Sequence, residues 1–296
     1  MALTVSRKAL DNVGVRFRDK CELVGDRGLI QDYRLFRSED LAIGFASISG
    51  VTSSQQVVLS GRLKRTDTLI RKLRREETMK LTFMADIVGF RMLVPSPAVQ
   101  HKVKDMLCAA LPVKSVKDYV DAPPESGYQG IHIICQVPKV FPGNDVASNL
   151  TYEIQVRTHF QHIWSTTSES MGEQVKEGGG TDEQRAHLEI LARKVRDFEA
   201  EQPDFVQVTA VANSLAPIYV VMNYDKSKGR TVMTQNFGYD LSRAIEYYKY
   251  LEDQFSQNFN NEVVLLVSNE EARLPISHTR YYIPKGRPAL PRELIY

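Results

Sequence analysis

Three cysteines in 296 residues, none at a metal-ligand spacing, leave no basis for a disulfide scaffold or a zinc ribbon. Cys21, Cys108 and Cys135 are an odd number and read as reduced, mostly buried thiols. No apolar run approaches the ~20 residues that a membrane span needs. Residues 1–20 are polar and charged, without the apolar centre of a secretory signal, so a cytoplasmic location without membrane contact is expected. Repeats, low-complexity tracts and a phosphate-loop pattern are all missing. No Cys/His or Ser/His pairing suggests a covalent nucleophile. The formal charge of +2 is too small for a surface that binds nucleic acid everywhere, so any anion site must be local. With 43% hydrophobic and 25% charged residues, the composition is that of an ordinary globular protein. Its length predicts one large domain plus an appendage.

Positive charge is concentrated in one place. From Gly61 to Lys80 there are eight Lys/Arg against three Asp/Glu. Arg62, Lys64, Arg71, Lys72, Arg74 and Arg75 are the side chains a polyphosphate needs. Thr66 and Asp67 are positioned to cap a helix over residues 68–77, whose Leu69, Ile70 and Leu73 make an apolar stripe. Asp86 follows inside the apolar run 85–94, read as a core strand. A carboxylate there suits a hard divalent cation, and without a role its burial would be costly. Together these features point to a metal-dependent enzyme acting on a nucleoside triphosphate.

Residues 1–50 mix helical stretches (7–21 and about 31–42) and carry no recognisable chemistry. Ser49 and Gly50 are expected to break the chain before a strand at 51–60. Beyond Asp86 the pattern predicts a helix at 98–111 and strands at 113–119, 130–137 and 150–156, the last two joined by a Pro/Gly/Asn loop. Helices follow at 158–174, holding the sole Trp164 in the core, and at 182–202. Gly178 to Gly180 read as a linker between them. His159 and His162, three apart, lack a third ligand and are assigned surface or packing roles. Strands at 218–224, 230–236 and 263–267 with a helix at 240–257 form a ββαβ appendage. The fold class is α/β (α+β), with strands and helices around a catalytic sheet. Its divisions are 1–50, 51–203 and 215–296.

Taken in order, Arg62-Leu-Lys64, Asp86-Ile-Val-Gly-Phe-Arg91, Gly127-Tyr-Gln-Gly-Ile-His132, Glu153-Ile-Gln-Val-Arg157 and His162-Ile-Trp164 resemble the synthetase domain of RelA/SpoT-type alarmone synthetases. The small, synthetase-only members look most similar. The resemblance covers residues 50–200 and implies a nucleotidyltransferase-like mixed sheet with flanking helices. It implies transfer of the β,γ-pyrophosphate of ATP to the 3′-hydroxyl of GDP or GTP, giving (p)ppGpp and AMP.

The resemblance also assigns roles. Arg62 and Arg91 match the arginines that stack on adenine, a task suited to a guanidinium plane. Lys64, Lys72 and Arg75 match triphosphate-binding cations. Asp86 and Glu153 match the Mg²⁺ carboxylates, with Glu153 placed to deprotonate the attacking hydroxyl. Tyr128 matches the aromatic on the acceptor base and His132 a contact near the acceptor phosphates. Gln155 and Arg157 share the Glu153 strand and, by alternation, its face, and are assigned to the acceptor side.

One loop departs from the family pattern: Ala122-Pro-Pro-Glu-Ser126 has Pro124 and Ser126 where a lysine and an asparagine are usual. Some relatives of this architecture use adenosine nucleotides or the 3′ end of tRNA as acceptors and act as toxins. Those acceptors stay open, as do a homo-oligomer and an antitoxin or regulatory partner at the C-terminal appendage. A decayed, nucleotide- or RNA-binding module is the non-enzymatic alternative. No His-Asp hydrolase motif is present.

Overall fold

The structure is a computed structural model that describes residues 5–138, 150–171, 180–203, 216–256, 258 and 260–282. The expected Pro/Gly/Asn loop at 139–149, Gly178, Gly179 and Leu215 lie outside the described residues. Three N-terminal helices, α1 (Arg7–Arg18), α2 (Asp26–Phe36) and α3 (Ser38–Thr52), precede strand β1 (Val58–Leu63). Helix α3 runs straight through Ser49 and Gly50, correcting the expected break and the strand start at residue 51. Its Leu41, Phe45 and Ile48 are fully buried. That apolar face repays the weak helix propensity of glycine.

Helix α4 (Thr66–Arg75) buries Leu69, Ile70 and Leu73, the predicted stripe. Arg65 is its N-cap and no side-chain cap bond forms, so the proposed caps Thr66 and Asp67 are instead its first helical residues. A 3₁₀ turn, Ala85–Ile87, leads into β2 (Val88–Val94). Asp86 therefore sits on the turn before the strand, not within it. Helix α5 (Pro97–Ala110) and strands β3 (Val113–Asp118), β4 (Ile131–Gln136) and β5 (Thr151–Thr158) complete the first half. Helices α6 (His159–Ser170) and α7 (Asp182–Glu201) follow, each with a capping box.

The C-terminal part forms in the expected ββαβ order: β6 (Ile218–Asp225), β7 (Arg230–Asn236), α8 (Leu241–Gln254) and β8 (Asn261–Ser268). Two short helices, α9 (Leu274–Ser277) and α10 (Thr279–Tyr282), end the described chain. This part does not stand apart from the rest. Strand β8 pairs antiparallel with β1 at Ser60↔Ser268 and Arg62↔Leu266. One continuous eight-stranded sheet results, in the order β3-β4-β5-β2-β1-β8-β6-β7. Only β2 and β5 run parallel among the paired strands, so the sheet is mixed. Gly61 permits this junction: a Cβ there would lie 2.7 Å from Phe90 and 2.9 Å from Val267.

The N-terminal helices are structural. Buried Arg34 donates to the Lys64 carbonyl at 3.3 Å and to the Tyr248 hydroxyl at 2.5 Å, and pairs with Glu252. It pins the end of β1 to α8. Buried Arg37 donates to the Thr151 carbonyl at 2.6 Å, holding the start of β5. The three cysteines are unpaired; Cys135 is buried, but Cys21 and Cys108 are exposed, correcting the mostly buried reading. No helix among the described residues is long and apolar enough to cross a membrane.

Candidate active site

Alternation along three neighbouring strands builds one polar face. In β5 the exposed-side positions are Glu153 and Gln155, between buried Tyr152, Ile154 and Val156. In β4 His132 lies between buried Ile131 and Ile133. Register places Arg62, Gly89 and Glu153 in one row across β1, β2 and β5, and Ser60, Arg91, Gln155 and His132 in the next. At Gly89 an added Cβ would meet nothing within 4 Å, so the floor between Arg62 and Glu153 is open.

Five side chains on this face close a ring of hydrogen bonds. The His132 Nδ1–H donates to Glu153 Oε1 at 2.9 Å, because a carboxylate only accepts. In the neutral ring Nε2 then accepts from the Tyr128 hydroxyl at 2.6 Å. Arg157 Nε donates to that hydroxyl at 3.0 Å, and its Nη2 donates to Gln155 Oε1 at 2.8 Å. Gln155 Nε2 returns to Glu153 Oε2 at 2.8 Å. Every donor in the ring points toward Glu153. Burial works to raise this carboxyl, but the hydrogen bonds from His132 and Gln155 outweigh it and hold it below its ordinary value. Glu153 is thus a poised anion with both oxygens oriented.

Tyr128 owes its place to two glycines. Gly127 and Gly130 have φ of 76° and 150°, and Cβ atoms there would lie 2.6 Å from Ala192 and 2.8 Å from the Tyr128 hydroxyl oxygen. The turn can therefore fold the tyrosine back under Arg157, whose guanidinium carbon lies 5.2 Å from the ring centroid. Trp164, buried in the small core between α6 and α7, supports the same ring at 5.8 Å.

Asp86 takes both expected lysines. Lys64 Nζ pairs with Oδ2, and Lys72 Nζ lies 3.1 Å from Oδ1. Burial pushes the Asp86 carboxyl up, but the two ammonium groups outweigh it and hold it low. The turn carrying Asp86 packs on β5, and its charge acts on Glu153. Two ionised, largely buried carboxylates on adjoining elements are hard oxygen donors, and they suit Mg²⁺.

The arginines form a separate cluster. Burial lowers the Arg91 guanidinium to about 9, and the charges of Arg157 and Arg62 add to the effect against Glu169. One Arg91 amino group donates to the Ser277 carbonyl, while its buried Nε has no partner. His162 lies alongside, buried, with both ring nitrogens unpartnered. Burial, then Arg91 and Arg157, push its pKa well down, so it is neutral. His278, also buried, is held neutral by burial and by Arg91 and Arg62. An excess of positive charge with unsatisfied donors is a setting for an anionic, heteroaromatic ligand.

Of the residues proposed from sequence, Asp86, Lys64 and Lys72 meet in one group. Glu153, His132, Gln155, Arg157 and Tyr128 meet in a second, and Arg62 and Arg91 lie beside it. Arg75 does not join them: it is exposed at the end of α4, 3.0 Å from its neighbour Glu76. Arg74 turns away to Glu22. His162 is a buried member of the cluster, which corrects the surface half of its expected surface or packing role. Ser277, His278 and Glu169 gave no sequence signal at all.

Residues 61–173 match a family model described as the region found in RelA / SpoT proteins. Those residues are thus similar to the RelA / SpoT region. An uncharacterised protein of Mycobacterium tuberculosis is 26% identical over 190 residues, 62% of this chain and 64% of that protein. A GTP pyrophosphokinase of Bacillus subtilis is 28% identical over 117 residues, 38% of this chain and 54% of that one. The chain thus spans less than two thirds of the length of either relative. Among solved structures, the small alarmone synthetase 2 of Bacillus subtilis aligns at 20% identity and a TM-score of 0.49, covering 60% of this chain and 96% of that one. A GTP pyrophosphokinase family protein of Streptococcus pneumoniae aligns at 24% and 0.48, covering 58% and 88%. The Bacillus subtilis small alarmone synthetase 1 bound to its product pppGpp aligns at 24% and 0.42, covering 49% and 74%.

Proposed function

We propose that the RelA/SpoT region is a pyrophosphokinase that moves the β,γ-pyrophosphate of ATP to the 3′-hydroxyl of GDP or GTP, releasing AMP. One observation carries the reading: a hydrogen-bonded, ionised Glu153 facing Asp86, with Lys64, Lys72, Arg62 and Arg91 around them. Asp86 and Glu153 would hold Mg²⁺, which neutralises phosphate charge when bound. Arg62 and Arg91 would take the adenine by stacking. Lys64 and Lys72 would turn from Asp86 to the phosphates, the charge neutralisation that phosphoryl transfer requires. Glu153 would accept the 3′-hydroxyl proton as the new O–P bond to the β-phosphorus forms and the bridge to AMP breaks. The His132–Tyr128–Arg157 chain keeps that carboxylate ionised and aimed.

A second reading changes the acceptor alone. The turn closed by Gly127 N–H to the Pro124 carbonyl at 2.9 Å carries exposed Glu125 and no cation next to Tyr128. That favours an acceptor without 5′-polyphosphate at this turn, such as the 3′ end of tRNA. The test is incubation of the full chain with Mg²⁺, γ-labelled ATP and, separately, GDP, GTP, adenine nucleotides and tRNA, followed by product separation. AMP with a labelled guanosine product is the expected result. Label on tRNA or an adenine nucleotide alone would replace the first reading by the second. No AMP with any acceptor would end both.

A further inference from the structure

Outside the active site, one cluster has the composition of a metal site. His101 on α5, Asp118 at the end of β3 and Asp121 in the turn beyond it each offer a ligand atom, all within 4.8 Å of one another. His101 Nε2 is 3.8 Å from Asp118 Oδ2 and 3.6 Å from Asp121 Oδ1. The other ring nitrogen, Nδ1, lies 3.0 Å from the Pro97 carbonyl oxygen. A carbonyl only accepts, so Nδ1 carries the hydrogen. With that hydrogen on Nδ1, Nε2 faces two carboxylate oxygens, a three-donor set that a metal ion would satisfy. A backbone carbonyl that fixes the tautomer and frees Nε2 is the usual second support of a metal-bound histidine.

Asp118 is prepared in the same way. Its Oδ1 accepts from the Val120 and Asp121 amides at 3.1 and 3.2 Å, fixing the carboxylate. Its Oδ2 is buried and makes no hydrogen bond. Lys104 Nζ, 3.5 Å from that oxygen, is the competing cation, but it also lies 3.9 Å from Asp105 and has somewhere to go. Ligands ~2.0–2.1 Å from a tetrahedral zinc are about 3.3 Å apart. The two His101 separations need only a small contraction, and all three ligand atoms already lie within 4.8 Å of one another. One imidazole and two carboxylates favour zinc or a similar transition-metal ion over Mg²⁺, which seeks oxygen alone.

We propose that His101, Asp118 and Asp121 bind one zinc-class dication, with solvent completing its coordination, and so clamp α5 to the turn after β3. Tyr119 lies between the two aspartates, and its ring is 5.5 Å from Tyr128 and 5.3 Å from His132. The clamp would stiffen the flank of the active-site ring. The test uses the full chain stripped of metal with a chelator, in a Cys21→Ser/Cys108→Ser background because both thiols are exposed. Zn²⁺ is titrated calorimetrically in the presence of excess Mg²⁺, and Co²⁺ is followed by visible absorption. One equivalent should bind, with a tetrahedral cobalt spectrum and a raised thermal midpoint. His101→Ala and Asp121→Asn should each weaken binding at least tenfold and remove the thermal shift. Asp121 is largely exposed, so its variant should fold. No saturable binding, or binding unchanged in both variants, would overturn the proposal whether or not the chain makes AMP.

Discussion

Two ends of one sheet treat buried charge in opposite ways. At the β8-β6-β7 end, Glu262 is buried but fully answered: Arg65 pairs with it, Arg280 lies at 3.1 Å, and the Tyr281 hydroxyl donates at 2.6 Å. At the β5-β2-β1 centre, half-buried Arg91 and buried His162 lie beside Arg157 with donors or acceptors left over. Balanced charge is architecture, because each ion has its counter-ion and the net cost of burial is small. Unbalanced charge is costly unless something else supplies the other sign. The contrast therefore separates the fastening of the C-terminal part from the place where a polyanion belongs.

The contrast breaks first at Glu153. Glu153→Gln and Asp86→Asn should each lower AMP formation by on the order of 10³-fold, while thermal midpoints stay within a few degrees. Activity near wild type in either variant would remove that residue from the chemistry. Next comes the pair Glu262→Ala and Arg91→Met. Loss of Glu262 leaves Arg65 and Arg280 unanswered and should cost roughly 3 kcal/mol in urea unfolding. Loss of Arg91 should leave stability unchanged or raised, since it removes a half-buried charge crowded by other arginines, yet weaken ATP binding at least tenfold. If both variants unfold alike, the distinction between the two ends is wrong.

A smaller effect is expected at Glu199, below the β5–α6 junction. Its carboxyl takes hydrogen bonds from Thr158 and Gln161, but burial dominates and raises it from 4.5 to about 7. Between those values the unfolded chain has released the proton that the folded chain keeps. Stability should therefore fall as pH rises through that window, by roughly 3 kcal/mol, and level off above it. Glu199→Gln should flatten the profile; a wild-type slope in the variant would assign the pH dependence elsewhere. The smallest effect is at His132. Without its hydrogen bond Glu153 should ionise at higher pH, moving the acid limb of the kcat/KM profile upward in His132→Ala. An unmoved limb would mean that the ring does not tune the base.

Local signals carried far in this chain. The apolar stripe of α4, the alternation of β4 and β5, the ββαβ order and the face shared by Glu153, Gln155 and Arg157 follow from periods of 3.6 and 2, which neighbouring residues impose on each other. The misreadings arose where distant packing overrode local preference. Ser49 and Gly50 stay helical because α3 lies in the core. Asp86 sits on a turn because the strand ahead of it is set by pairing with β1 and β5. Arg75 is basic and near in sequence, but it lies exposed at the end of α4, beside Glu76.

By itself the sequence determined which residues carry charge, which faces are apolar, and that a RelA/SpoT-like set of motifs occurs in order. Only the tertiary structure decided that five side chains from β4, β5 and one turn close a ring on Glu153. Only it showed that Ser277 and His278, almost 200 residues from Arg91, come to lie against it. Those contacts depend on β8 pairing with β1. Such long-range pairing is fixed by the burial of whole sheet faces, not by the residues that finally touch.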